Sequence, residues 1–246
     1  MKISIITCSW NSNQYIDQSI NSVLKQNFKN IEYIFVDGGS TDGTLERIAS
    51  IPCEVKVLND VRGGIAHAMN AGIKAATGDI IAHLHSDDYY LSEDVLSRVA
   101  AHFEQSDLAW LFGRVMFDDA GRLTPEQFVA PKYSYKRILM RNFIPHPATF
   151  IRREVFETCG MFSESLRYAM DYEFWLRVGR HYEPIQVDEP LAAFRRHEGS
   201  ATQANFMRSF NEDFRVRVNH AGWFQIPEIF LRYFVRRYRL HSSGIK

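Results

Sequence analysis

The chain has 246 residues, 46% of them hydrophobic, which is enough to bury a sizeable core within one large domain. Lysine plus arginine and aspartate plus glutamate each number 29, so the net charge is zero and no global field favours nucleic acid as a partner. Three cysteines (Cys8, Cys53 and Cys159), odd in number and without metal-ligand spacing, argue against a secreted disulfide framework and fit a reducing, cytoplasmic compartment.

The first residues carry one lysine and a short apolar run, which does not read as a signal peptide. No later stretch approaches the roughly 20 apolar residues of a spanning helix. Residues 3–7 form a compact apolar run, the pattern of a buried strand. After Asn11, Ser12 and Asn13, residues Ile16, Ile20, Val23 and Leu24 recur at helical spacing. A second strand over 31–36 runs into Asp37, Gly38, Gly39 and Ser40, and a short helix begins near Thr44. A strand at 54–58 precedes a helix over 65–76 with Ile65, Met69 and Ile73 on one face. A fourth strand, 79–84, ends in His85, Ser86, Asp87 and Asp88, and a helix follows over about 92–103. This strand–loop–helix repetition predicts an α/β fold with a mostly parallel sheet covered on both faces, whose ligands bind beyond the carboxyl ends of the strands. Later, 109–117 and 185–194 read as extended and 173–180 as helical, while 122–135 lacks periodicity and reads as a loop over the site.

Polar clusters follow three of the strands. Adjacent carboxylates at Asp87 and Asp88 repel unless a cation or hydrogen bonds compensate. A divalent ion on a diphosphate supplies that compensation, and oxygen ligands suit Mg²⁺ or Mn²⁺. The same residues also suit a helix cap. Asp37, followed by glycines, can accept from a pyrimidine N–H or a ribose hydroxyl; Asp42 reads as a cap. Neither G-x-G-x-x-G nor a P-loop is present.

The runs Ile3–Thr7 with Asn11, Val36–Thr44, Asp60–Ile73 and Ala76–Asp79 resemble family 2 glycosyltransferases. His146–Thr149, Gly160–Phe162 and Asp171–Arg177 continue the match, most closely to bacterial members that build exopolysaccharide, capsule or O-antigen. The resemblance implies a GT-A fold, a nucleotide-sugar donor (UDP most often), Mn²⁺ or Mg²⁺, and inversion at the anomeric carbon. It places Thr7, Trp10, Asn11, Asp37, Gly64, Asp87 and Arg196 on the donor and Asp87, Asp88 and His197 near the metal. Asp171 stands where the family has its general base, with Glu173 as a fallback. Arginine or histidine in the run Arg195–Ser200 neutralises the departing diphosphate, or His197 completes the metal's coordination. Two positions depart from the pattern: His85 stands where many relatives have aspartate, and Met170 where they commonly have glutamate.

From Trp223 onward, Phe230, Phe234 and Tyr238 share a helical face beside Leu231 and Val235, and Arg232, Arg236 and Arg239 lie opposite. A membrane surface, a homodimer contact, or packing on the domain with the arginines in water are its three uses. The division expected is a transferase domain over 1–205 and a helical extension over 206–246. The acceptor implied is a saccharide or lipid-linked saccharide, with the protein cytoplasmic or peripheral at the inner face of the plasma membrane. A non-catalytic nucleotide-sugar-binding protein and a sugar-phosphate nucleotidyltransferase are the alternatives.

Overall fold

The computed structural model describes residues 1–126, 128, 130–197 and 205–242. Its first half alternates β1 (Ile3–Ser9), α1 (Ile16–Leu24), β2 (Ile31–Asp37), α2 (Thr44–Ala49), β3 (Lys56–Leu58), α3 (Ile65–Ala75) and β4 (Ile80–His83). β5 (Tyr89–Tyr90), α4 (Val95–Gln105), β6 (Trp110–Asp119), β7 (Arg122–Pro125) and α5 (Tyr135–Met140) follow. A single 3₁₀ turn at His146–Ala148 leads to β8 (Thr149–Arg152), α6 (Arg153–Cys159), α7 (Met170–Val178) and β9 (Ile185–Arg195). Two further helices, α8 (Phe206–His220) and α9 (Ile226–Ser242), complete the described chain.

The strands form one nine-stranded sheet in the order β3-β2-β1-β4-β8-β6-β9-β5, with β7 paired to β6. The expected parallel arrangement holds among β1, β2, β3 and β4. Beyond β4 the sheet is mixed: β8 is antiparallel to β4 and β6, whereas β9 is parallel to β6. The run read as a loop at 122–135 instead begins as β7, folded back on β6 through Ala120 and Gly121, both at positive φ.

Every residue of β1 is buried because helices cover both faces of the sheet. Strand alternation sends Ile6, Cys8, Ile34 and Val36 to one core layer and Ile5, Tyr33 and Phe35 to the other. On the first face α3 packs through Met69 and Ile73, and a Cβ at Gly72 would stand 2.5 Å from Ile6 Cγ2. Only glycine permits that approach. Farther along the same face, the Trp110 and Trp175 indoles stack with centroids 5.7 Å apart, joining β6 to α7.

The extension beginning at α8 is packed on this body. Val216 and Ile229 belong to the same core layer as Trp110, and Tyr233 of α9 stacks on Phe210 and Phe214 of α8. Among the described residues no helix is long and apolar enough to cross a membrane.

Candidate active site

Because β1, β2 and β4 run parallel, their carboxyl ends open on one edge, and hydrogen bonds tie the loops there together. Asn11, at φ 48°, gives its N–H to Ser40 Oγ (2.8 Å) and accepts from the Thr41 N–H (2.9 Å). Asparagine tolerates this left-handed geometry better than most residues. Ser86 Oγ donates to Ser12 Oγ at 2.8 Å, tying the third loop to the first. Asp42 accepts from the Thr44 N–H and hydroxyl, one residue ahead of the N-cap, which is Gly43 and not the Asp42 expected.

Two residues that the resemblance places on the donor are turned inward. Thr7 is fully buried and its hydroxyl donates to the Leu84 carbonyl at 2.6 Å, so the side chain stitches β1 to the end of β4 and does not face the cleft. Asp37 is also fully buried. One of its oxygens accepts from the Gly39 and Ser40 N–H groups, the other from the Ser9 and Ser40 hydroxyls. With four donors on two oxygens, it shapes the loop.

Beside this loop lies a cleft of about 740 Å³. Trp10, 69% exposed, lines it together with Gly38, Arg62, Gly64, Arg167 and Tyr168. Gly64, at φ 93°, opens α3 where a Cβ would meet open space. Arg62 is held by Asp60 at 2.5 Å, above the positive-φ Gly39. The sequence pattern of the run Asp60–Ile73 assigns no role to Asp60 or Arg62.

Across the loop at 9–13 sits the acidic pair, and its two carboxylates are treated oppositely. Asp87 Oδ2 lies 3.0 Å from His197 Nε2, with both side chains partly exposed. Asp88 is buried and accepts the Arg195 N–H at 3.0 Å. Burial, reinforced by Asp87, pushes the Asp88 carboxyl well above the usual range. Arg195 binds the Asp87 carbonyl at 3.0 Å, pairs with Asp118 at 3.6 Å and lies over the Tyr15 and Tyr89 rings. Tyr15 also packs on the His197 ring, with centroids 4.8 Å apart.

Arg196, placed on the donor by resemblance, points the other way. It forks onto the Asp119 carboxylate and lies over Phe117. Successive residues leave a strand on opposite faces, so the side chain that reaches the acidic pair is Arg195. Glu198, Gly199 and Ser200 of the same motif lie outside the described residues.

Asp87 and His197 offer one oxygen and one nitrogen ligand, and no group of three or more metal-binding side chains surrounds a point among the described residues. That donor set fits a Mn²⁺ or Mg²⁺ ion that takes its remaining ligands from phosphate oxygens and water, rather than a closed protein cage.

Behind the pair lies a histidine cluster that sequence reasoning did not assemble. The His85 and His146 rings stack at 5.2 Å, and His83 lies 5.3 Å from His146. His83 Nε2, His85 Nδ1 and both His146 nitrogens are buried without hydrogen-bond partners. Burial, with help from His85, pushes His83 down to about 3, and burial likewise holds His146 well below the usual range. Burial thus disfavours the charged form of all three rings.

Asp171 sits in the first turn of α7 and accepts the Tyr172 N–H at 2.6 Å. Burial raises it to about 7, with Asp213 and Glu212 adding repulsion, which is the range of a general base. Glu173 cannot serve as the fallback. Burial raises it, but hydrogen bonds from His220 and Arg177 prevail and hold it down at about 2. The segment before α7, which lines the cleft, is gripped by Glu212 of α8, whose carboxylate accepts the N–H groups of Arg167, Tyr168 and Ala169.

The chain is similar to known proteins in sequence and in fold. The chain is 29% identical over 229 residues to a Bacillus subtilis protein described as an uncharacterized glycosyltransferase, EpsJ; the match covers 85% of the chain and 65% of that relative. A PGL/p-HBAD biosynthesis glycosyltransferase of Mycobacterium bovis is 33% identical over 182 residues, covering 71% of the chain and 68% of the relative. S. aureus TarS 1-349 in complex with UDP-GlcNAc superposes with a TM-score of 0.79 at 23% identity, covering all of the chain and 76% of TarS 1-349. The Pyrobaculum calidifontis mannosyltransferase PcManGT, in complex with GDP-Man and Mn²⁺, superposes with a TM-score of 0.68 at 15% identity, covering 99% of the chain and 76% of that structure. These two likenesses establish the GT-A fold. The glycosyl transferase family 2 model matches residues 4–160, well over half of the sequence, and the chain belongs to that family.

Proposed function

We propose that the chain transfers a sugar, with inversion, from a nucleoside-diphosphate sugar to a saccharide or lipid-linked saccharide used in surface polysaccharide synthesis. The observation that carries this reading is the placement of the Asp87–His197 pair at 3.0 Å on the loop system that borders the 740 Å³ cleft. The exposed Trp10 indole stacks on the base, and Arg62 and the Gly64 backbone line the path of the ribose and diphosphate. Asp87 and His197 are the residues that would hold Mn²⁺ or Mg²⁺, whose positive charge stabilises the departing diphosphate.

Arg195 keeps Asp87 and Asp88 in place from beneath. Asp171 takes the proton of the acceptor hydroxyl as the sugar–phosphate bond breaks on the opposite face, the division of labour an inverting displacement requires. UDP is favoured as the nucleotide because TarS, similar in fold, was solved with UDP-GlcNAc. Work at the cytoplasmic face of a membrane, as a monomer or a homodimer, accompanies this reading.

The test is a thermal-shift panel of UDP-, GDP- and dTDP-sugars with and without Mn²⁺. A cognate donor at 100 times its Kd stabilises the fold by about 2.7 kcal/mol. The reading is lost if no nucleotide sugar raises the melting temperature in either condition.

A further inference from the structure

The segment leading into α7 is held at both ends. At its start Asn70 of α3, 4% exposed, exchanges two hydrogen bonds with the Phe162 backbone, donating to the carbonyl at 2.9 Å and accepting the N–H at 3.0 Å. The same side chain donates to Glu164, which also meets His67 at 3.0 Å. At the other end Glu212 of α8 accepts three consecutive main-chain N–H groups, those of Arg167 (3.0 Å), Tyr168 (2.5 Å) and Ala169 (2.7 Å). Between the two clamps Glu164, Arg167 and Tyr168 line the cleft, and Asp171 follows two residues beyond the second.

Ala169, at the start of α7, makes no side-chain cap, so Glu212 supplies from α8 the acceptor that a capping residue supplies from within. It brings charge with it. Burial raises Asp171 to about 7, and repulsion from Asp213 and Glu212 adds to the rise. Burial raises Asp213 too, to about 6, against the pull of Arg217 and of Arg236 on α9. Arg141, at the end of α5, interacts with those two arginines. Glu173 of α7 is engaged by Arg177 and His220, and α6 offers α7 its Cys159 carbonyl, which Arg177 takes. Like charges around a buried acid work against folding, and a neutral acceptor can hold main-chain N–H groups without that repulsion. A carboxylate here instead keeps Asp171 basic enough to accept a proton near neutral pH.

We propose that Glu212 is a positioning residue for transfer: it fixes the turn between the cleft wall and Asp171 and sets the charge around the base. The helical extension is then part of the transferase machinery, acting on the step in which the acceptor loses its proton. The donor contacts at Trp10, Arg62 and Asp87 belong to loops that Glu212 does not touch. The proposal rests on the reading of Asp171 as the base.

The test compares the full chain with Glu212→Gln, which keeps the size and removes the charge. The probe is UDP-GlcNAc with Mn²⁺, or whichever UDP-, GDP- or dTDP-sugar most raises the melting temperature, with water as the acceptor. The water oxygen, losing its proton to Asp171, replaces the diphosphate on the sugar, and release of the nucleoside diphosphate is timed. Turnover at saturating donor should fall about 10²-fold, as a misplacement of about 1 Å does. Donor affinity by isothermal titration should stay unchanged. The acid limb of turnover, and the Asp171 carboxyl carbon followed by NMR, should both move to lower pH because a repelling charge is gone. Glu212→Asp, which keeps the charge, should recover the pH behaviour. Melting curves confirm folding, and Asp213→Asn gives the same downward pH shift if Glu212→Gln does not fold.

Wild-type turnover and an unmoved pH limb in Glu212→Gln overturn the proposal. So does an equal loss of turnover and donor affinity while Asp171 titrates as in the wild type, the result of general loosening. If water reacts too slowly to time, the NMR titration alone decides. Asp171→Asn separates the two readings. Wild-type turnover in that variant removes the base assignment and the role of Glu212 with it. Loss of turnover there, beside wild-type behaviour in Glu212→Gln, removes only the role of Glu212.

Discussion

Asp87 and Asp88 are adjacent in sequence and unlike in chemistry. Asp87 faces His197 at the surface, whereas Asp88 is buried under the Arg195 backbone with its carboxyl pushed upward. Asp87→Asn and His197→Ala should each lower Mn²⁺-dependent donor binding by about 10–100-fold, measured by isothermal titration, as loss of a metal-site residue does. Undiminished affinity in both would refute the metal assignment. Asp171, raised to about 7 by burial, makes a prediction with two signs. Transfer should increase with pH through about 7, because the carboxylate is the base. Stability should move the other way. The unfolded chain ionises near 3.8, before the folded one, so stability falls as pH climbs from there to about 7. Asp171→Asn should therefore keep donor binding, lose about 10²–10⁴ of the rate, and raise the melting temperature above pH 7. The acidic motif and Asp171 were legible as residues; the buried states of Thr7 and Asp37 were not. A strand-end threonine or aspartate reads the same whether its lone pairs face a ligand or the neighbouring loop, and only the fold supplies the Leu84 carbonyl and the Ser9 and Ser40 hydroxyls.

At the scale of elements, β9 decides which arginine matters. Arg195, largely buried, bonds Asp87 and Asp118, so Arg195→Ala should cost about 1.5–3 kcal/mol in urea unfolding. Arg196→Ala, which breaks a half-exposed pair with Asp119, should cost no more than about 1 kcal/mol. A reversed order of the two would mean that β9 is misregistered. The α3–β1 contact gives a sharper case. Gly72→Ala drives a methyl to within 2.5 Å of Ile6 Cγ2, and overpacking of this kind costs about 1–3 kcal/mol. The parallel half of the sheet could be read from local periodicity, since each strand there is followed by its own helix. The mixed half could not. β8 pairs with β4 across a separation of about 70 residues, and β7, read as the start of a loop, is a four-residue strand too short to show a periodicity of its own.

For the whole molecule, the boundary near residue 205 marks a change of composition more than an independent unit. Val216 and Ile229 lie in the main core, and Glu212 grips the segment that walls the cleft. Removal of 206–246 should therefore abolish cooperative unfolding in calorimetry or lower its midpoint by well over 4 °C, more than about 1 kcal/mol for a chain of this size. An unchanged midpoint would show that the helices are a detachable appendage. The amphipathic pattern of α9 was legible, but which side faces outward was not. Periodicity gives the angle between two stripes; the body of the protein decides which one it covers.

The four tryptophans divide evenly between interior and surface, which turns the protein into its own optical reporter. The stacked Trp110–Trp175 pair, shielded from quenchers, should give a coupled near-ultraviolet dichroism signal that vanishes only on global unfolding. Trp10 and Trp223 remain open to iodide. Nucleotide should protect the first and leave the second open, so Trp10→Phe and Trp223→Phe variants let each surface be followed separately by fluorescence, in one cuvette and without a label.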